Sequence, residues 1–177
     1  MTQQPAYGNT AKVLHWMIVV LLAAQFAIGW LMPDIQPGAP PGSAMTLHIA
    51  IGLIILMLII LRFAWRLFHP VAPANTLPRW QRLLSESVHW LLYGLVVATA
   101  MTGWFFASFR GWHLSPLVGV PLPMLTAPDS IAGRLVGGWH QAAGFGLLIA
   151  IGIHVAAAFI HAFVFRDRIM QRMLPRA

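Results

Sequence analysis

The sequence contains 177 residues, of which 59% are hydrophobic and only 8% are charged. Soluble domains usually have about a quarter of their residues charged, so this composition excludes an ordinary soluble domain and predicts an integral membrane protein. The formal net charge is +7 and cysteine is absent. Without thiols, the chain has no means of forming disulfides or ligating Fe–S clusters.

Four apolar runs follow one another along the chain, at about residues 13–32, 47–67, 88–109 and 137–165. Each exceeds the roughly 18 residues that a membrane-spanning helix needs. The first run lacks the small-residue cleavage site of a signal peptide. Because backbone groups in lipid must be satisfied internally, we predict an all-α, four-helix transmembrane bundle that forms a single membrane domain over residues 1–177.

The basic residues are distributed unevenly between the two sides of these spans. Nine of the eleven flank one side: Lys12, Arg62, Arg66, Arg79, Arg82, Arg166, Arg168, Arg172 and Arg176. Only Arg110 and Arg134 flank the other. The positive-inside rule therefore places both termini and the second-to-third loop in the cytoplasm. We interpret the basic clusters as topology determinants that contact anionic lipid headgroups, and not as a nucleic-acid surface.

Histidines occur at defined depths in the four spans. His15 lies near the cytoplasmic end of the first span and His48 at the outer end of the second. His89 opens the third span at the cytoplasmic interface, after an inner loop that carries Arg79, Trp80 and Arg82. We expect the second half of that loop to form an amphipathic turn on the membrane surface.

The fourth span contains three histidines: His140, His154 and His161. The first two are fourteen residues apart, which is close to four helical turns, so they share one face about 21 Å apart along the axis. Ionisable residues inside a span are costly and are functional candidates by default. Two histidines on one face near opposite sides of a membrane suit two stacked haems, whereas any one alone is equally well explained as a hydrogen-bonded packing residue.

Depth predicts which histidines meet. His48 and His140 are level at the outer side, and His15 and His154 lie at similar depths, roughly 20–25 Å below it. His89 and His161 remain as a second, shallower pair at the cytoplasmic edge. Two imidazoles saturate the axial positions of haem iron, which leaves a centre that only exchanges electrons.

Other uses of these histidines are less compatible with the sequence. Zinc prefers four close ligands, and we expect no third or fourth donor beside either pair. A proton relay would need acidic partners in the core, but all four acidic residues lie at or beyond helix ends in this prediction. A structural or transport bundle without haem is the remaining alternative.

With its motifs LHW at His15, LHI at His48, WH at His140 and GIH at His154, and its C-terminal MLPRA, the chain resembles the bacterial cytochrome b-561 proteins. The resemblance covers nearly the whole chain. It implies a multi-pass protein of the bacterial plasma membrane with two b haems, whose axial ligands match these four histidines. It also implies electron exchange with the quinone pool, with ubiquinone as acceptor and superoxide as one donor.

Two functions follow from this resemblance. In the first, superoxide gives electrons at the outer face and quinone is reduced. In the second, the bundle anchors a dehydrogenase or hydrogenase partner and relays its electrons to quinone. We predict that His89, His161, Arg79, Arg82 and Arg134 contact haem propionates or quinone, because Arg and His donate charge-assisted hydrogen bonds to such oxygens. The basic groups on the outer side, which could attract the superoxide anion, are Arg110, Arg134 and His113.

Overall fold

The structure is a computed structural model of the chain. It describes residues 7–34, 36, 38–70, 77–112, 121–167 and 169–174, without the side chains of residues 132–134. Within that part of the chain, all regular secondary structure is helical.

Four long helices make up the bundle. They are α1 (Asn9–Leu31), α2 (Ser43–Phe68), α3 (Arg79–Phe109) and α4 (Ile131–Phe159), and a π-helical segment, Ile160–Phe165, extends α4. Each is long and apolar enough to cross a membrane. The predicted all-α bundle of four spanning helices is therefore confirmed. The side of the membrane that each end faces stays a prediction.

The start of α3 differs from the prediction. The helix begins at Arg79, whereas the apolar pattern predicted a start near residue 88, so Arg79, Trp80 and Arg82 lie in its first turn rather than in a loop. Pro78 precedes this turn, and its carbonyl accepts a hydrogen bond from the Arg82 amide at 3.2 Å. An apolar window marks only the part of a helix that contacts lipid, whereas polar residues such as those of 79–87 can extend the helix into the interface.

The bundle has two ends, which we name by their residues. The terminal end contains the starts of α1 and α3 and the ends of α2 and of the π-helical segment. The distal end contains the ends of α1 and α3 and the starts of α2 and α4. Arg62 joins α2 to α1 at the terminal end, and Arg110 joins α3 to Gln36 at the distal end.

An apolar cluster occupies the middle of the bundle. It comprises Ile18 of α1, Ile55, Leu56 and Ile59 of α2, Val96 of α3 and Leu147 of α4. Most other large apolar side chains of the helices are exposed, as expected for surfaces that face lipid. Among the described residues, α3 packs most extensively along α4, and α1 along α2. By contrast, α4 is not packed extensively against either α1 or α2.

The C-terminal segment folds back over the start of α1. It follows the π-helical segment, where Arg166 adopts a left-handed conformation with φ 52°, and includes a short 3-10 helix, Met170–Arg172. The indole nitrogen of Trp16 donates to the Met173 carbonyl at 3.0 Å, and the Lys12 ammonium donates to the Leu174 carbonyl at 2.8 Å. The start of α1 is thereby in contact with Met173 and Leu174.

Candidate functional site

One face of α4 carries two histidines whose rings approach α1 and α2. His140, Leu147 and His154 are spaced by seven residues, close to two turns, so they fall along one side of the helix. Leu147 is only 2% exposed and belongs to the apolar cluster in the middle of the bundle. The two histidines therefore lie on opposite sides of an apolar layer, one toward each end.

At the distal end, His140 meets His48 of α2. Their ring centroids are 6.2 Å apart and the planes cross at 83°. Gly29 of α1 lies beside this pair, since a Cβ built on it would come within 3.5 Å of the His48 ring. The sequence placed these two histidines at the same depth, and the structure brings them together.

Helix α3 fixes the orientation of the His140 ring. Its Nδ1 lies 2.8 Å from the Thr99 carbonyl oxygen. Because a carbonyl only accepts, the proton is on Nδ1, and the Nε2 lone pair is left for a metal. A Cβ at Gly103 would come within 2.8 Å of the same ring, so only glycine gives the imidazole this space.

His48 is held differently. Gln25 of α1 donates from Nε2 to the His48 backbone carbonyl at 2.9 Å. The His48 Nδ1 and the Gln25 Oε1 are both buried and have no hydrogen-bond partner within the part of the chain that the structure describes. Buried polar atoms are normally hydrogen-bonded, so these two atoms are exceptions that lie beside the His48–His140 pair.

At the terminal end, His154 meets two histidines. The His15 ring of α1 lies 6.5 Å from it at an angle of 72°, and the His89 ring of α3 lies 5.2 Å from it at 76°. The Nδ1 of His89 donates to the Ser85 carbonyl at 2.6 Å. His89 therefore lies beside the terminal pair as a third imidazole.

Comparison with known proteins identifies the family. The family model described as prokaryotic cytochrome b561 matches residues 6–176. The chain belongs to the prokaryotic cytochrome b561 family. The resemblance inferred from the histidine motifs is thus confirmed.

Relatives match this cytochrome b561 chain over nearly its full length. Cytochrome b561 homolog 2 of Escherichia coli is 25% identical, and the match covers 97% of this chain and 92% of the relative. Cytochrome b562 of Cereibacter sphaeroides is 26% identical, with 98% of each chain covered. The probable superoxide oxidase CybB of Yersinia pestis is 25% identical, with 92% of each chain covered. The chain is therefore a multi-pass membrane electron-transfer protein of a haem b family.

The histidine pairs fit a haem iron in their separation. A metal–imidazole nitrogen bond is about 2.0 Å and the ring centre lies roughly 1.1 Å farther, so two imidazoles on one iron have centroids about 6 Å apart. The pairs His48–His140 and His15–His154 meet this spacing at 6.2 and 6.5 Å. The spacing between His89 and His154 is shorter, at 5.2 Å. In the described part of the chain, no group of three or more His, Cys, Asp or Glu residues is arranged to hold a metal ion.

Glycines also leave space along α4. A Cβ at Gly144 or Gly152 would have nothing within 4 Å, so open space adjoins the helix one turn beyond His140 and again near His154. At Gly52 a Cβ would instead meet Gln25 Nε2 at 3.3 Å. Gly144 lies one turn after His140 and Gly52 one turn after His48. A flat ring would have space beside Gly144, whereas the Gln25 side chain restricts the space beside Gly52.

His161 does not pair with His89, contrary to the depth argument. Its Nδ1 makes a short hydrogen bond to the Asp167 carboxylate, whose other oxygen accepts the Ile169 amide at 3.1 Å. The contacts of His161 are thus with residues that follow it in the chain, Phe165 and Asp167. A cavity of about 300 Å³ adjoins the π-helical segment. Its lining residues are Ala162, Phe163, Arg166, Met170 and Gln171.

Basic residues that the sequence suggested as contacts for propionates, quinone or superoxide lie at both ends of the bundle. Arg79 is exposed and Arg82 is half-buried in the first turn of α3, and neither side chain has a hydrogen bond or ion pair within the described residues. The Arg134 side chain and His113 lie outside the described residues. Arg110 donates to the Gln36 carbonyl at 2.6 Å and lies over the Trp112 ring.

Several residues around the pairs were missed by sequence reasoning. Gln25 is a polar residue in the middle of an apolar span, which is by itself a signal of function. Lys12 stands three residues before His15, but it was interpreted only as a topology determinant. Thr99 acts through its backbone carbonyl, which no side-chain pattern reveals.

Proposed function

We propose that this chain binds two b haems, one between His15 and His154 and one between His48 and His140, and passes electrons through them to quinone. The observation that carries the proposal is the occurrence of two imidazole pairs, each at iron-bridging separation, on either side of one apolar layer. Membership of a cytochrome b561 family supports haem b as the group that they hold.

Residues around each pair would shape this chemistry. Bound haem supplies a one-electron couple, and two axial imidazoles leave oxygen no open position. The Thr99 carbonyl holds the proton of His140 on Nδ1, which fixes the tautomer and raises the basicity of Nε2. The apolar cluster around Leu147 excludes water from the region between the two pairs.

We place quinone reduction at the terminal end, beside His161. Reduction of one quinone to quinol takes two electrons and two protons. His161 is the hydrogen-bonding group that we assign to a quinone oxygen at this end, and the Asp167 carboxylate holds its ring in place. The adjoining cavity carries Arg166, a second donor for a quinone oxygen. His89, Arg79 and Arg82 line the same end of the bundle, as contacts for haem propionates or quinone.

We place electron input at the distal end. Each superoxide anion gives up one electron and becomes oxygen, so two of them are needed per quinol. The charge of Arg110 and the name of one relative, a probable superoxide oxidase, support this donor. We assign the chain to the bacterial plasma membrane as a single domain, in keeping with its prokaryotic family. The excess of basic residues at the terminal end supports an orientation with both termini, and hence this end, on the cytoplasmic side.

Spectra of the purified protein test the proposal. We expect reduced-minus-oxidised bands of b haem and two haems per chain by extraction. His48→Ala and His140→Ala should each remove the same spectral component, while His69→Ala, a ring stacked on Trp65 at the surface, should keep both. A colourless protein or a single haem overturns the proposal. Co-purification of a soluble subunit whose oxidation reduces the protein would replace superoxide with a partner dehydrogenase or hydrogenase as donor.

A further inference from the structure

A lysine that has no acidic partner among the described residues is buried one turn before His15 in α1. Lys12 is 5% exposed, and its ammonium donates to the Leu174 carbonyl at 2.8 Å. Among the described residues the single ion pair joins His161 to Asp167, so no carboxylate within them compensates this charge. Lysine is almost never fully buried unless paired, because removing an ammonium from water is costly.

A second cation converges on the same turn of α1. Arg62 of α2 donates to the Ala11 carbonyl at 2.6 Å. Ala11 and Lys12 precede His15 by four and three residues, so they lie one turn away on the same side of the helix. Helical side chains lean toward the N-terminus, which directs the His15 ring over this turn. Arg62 and Lys12 therefore place two positive charges on the turn of α1 that precedes His15.

The C-terminal segment separates these charges from the membrane surface. Met173 and Leu174 accept hydrogen bonds from Trp16 and Lys12, and the Arg172 carbonyl accepts one from the Tyr7 amide at 3.4 Å. The Arg172 guanidinium lies over the Tyr7 ring. Residues 172–174 thus pack against the part of α1 that carries Lys12.

We infer that Lys12 and Arg62 form an oxyanion site, and that its occupant is a propionate of the haem held by His15 and His154. The inference rests on the proposed haem function. A carboxylate between an ammonium and a guanidinium makes charge-assisted hydrogen bonds and supplies the missing negative charge. The phosphate of an anionic phospholipid has the same chemistry and is the alternative source that the experiment must separate.

This site would set the reduction potential of the terminal haem. Positive charge near the iron favours the reduced state, since reduction removes one positive charge from the centre. Lys12→Gln keeps a hydrogen-bond donor for Leu174 but removes the charge. It should lower the midpoint potential of the terminal haem and make that potential pH-dependent near neutrality, because an uncompensated propionate would take up a proton when the iron is reduced.

Redox titration of the purified holoprotein in nanodiscs measures this effect. We expect the lower potential in Lys12→Gln and in Arg62→Gln, and recovery in Lys12→Arg. The distal component should not move in any of them. Arg66→Gln is the matched control, because Arg66 is a cation one turn along α2 that lies over the rings of Trp90 and Tyr93. Resonance Raman spectra should show the propionate bending mode shifted in Lys12→Gln and Arg62→Gln alone.

Each other outcome has a defined meaning. An unchanged potential and propionate mode in Lys12→Gln, with two haems bound, overturns the inference and leaves the haem function intact. A potential that follows the phospholipid phosphorus bound per protein, with an unchanged propionate mode, assigns the site to a lipid phosphate instead. If Lys12→Gln loses the terminal haem, Arg62→Gln decides by the same two measurements. A wild-type protein without haem removes the proposed function itself.

Discussion

The His48 and His140 rings lie 6.2 Å apart with their planes at 83° to each other. The His15–His154 pair repeats this arrangement at 6.5 Å and 72°. If iron is bound between them, nearly perpendicular imidazole planes leave two of its d orbitals close in energy. We expect the oxidised protein to give strongly axial low-spin EPR signals, each with one large g value at low field. Rhombic signals typical of parallel imidazoles would show that the rings turn when haem binds.

The second prediction concerns the terminal end, where both His15 and His89 lie near His154 and only one of them can share an iron with it. The His89 ring is 5.2 Å from it, which is shorter than two imidazoles on one iron require, and His89 Nδ1 is hydrogen-bonded to Ser85. We therefore expect His15→Ala and His154→Ala to lose the same haem, and His89→Ala to keep two. Haem extraction and low-temperature difference spectra measure this. Loss of the terminal component in His89→Ala, with its retention in His15→Ala, would make His89 the ligand.

Gly103 carries a third prediction, because it limits the space of the His140 ring. Its Cβ would lie 2.8 Å from His140 Cε1. Gly103→Ala should displace the ring, weaken its bond to Thr99 and cost roughly 1–3 kcal/mol of stability, as overpacking usually does. Gly94→Ala on the same helix is the control, because nothing lies within 4 Å of its Cβ. Thermal unfolding with the distal haem spectrum as readout compares the two. Equal behaviour of both variants would show that the ring has room to move.

Much of the fold, and the pairing of the histidines, could be predicted from the length of the apolar runs and from the helical repeat. Lipid allows few backbone arrangements, so four apolar runs predicted four helices, and a fourteen-residue spacing placed His140 and His154 on one face. The early start of α3 was not predictable from apolar windows. The fold-back that buries Lys12 depends on contacts between residues far apart in sequence. Those contacts leave no local pattern.

The pair of His161 and Asp167 gives a fourth prediction, for quinone reduction. Asp167→Asn removes the carboxylate that holds the His161 ring in place. We expect Asp167→Asn and His161→Leu each to slow quinone reduction by roughly 100-fold, the lower end of the range for loss of a general acid. Both haems should be retained. His69→Leu, at the same end but without an acidic partner in the described structure, should react at the wild-type rate. Unchanged quinone kinetics in both site variants would place the quinone elsewhere.

Arg110 carries the last prediction, on electron input at the distal end. Its guanidinium is held by the Gln36 carbonyl and lies 5.2 Å from the Trp112 ring centre, so its charge has a fixed position near the end of α3. A fixed positive charge raises the encounter rate of a small anion in a salt-dependent way. Stopped-flow reduction of the oxidised protein by superoxide should therefore slow as salt is added. Arg110→Gln should react several-fold more slowly at low salt and converge with the wild type at high salt, where the field is screened within about 3 Å at 1 M. Arg79→Gln, at the opposite end, should leave this rate unchanged. A wild-type rate that is independent of salt and equal to that of Arg110→Gln would exclude steering by this residue, and would favour a protein subunit as the electron donor.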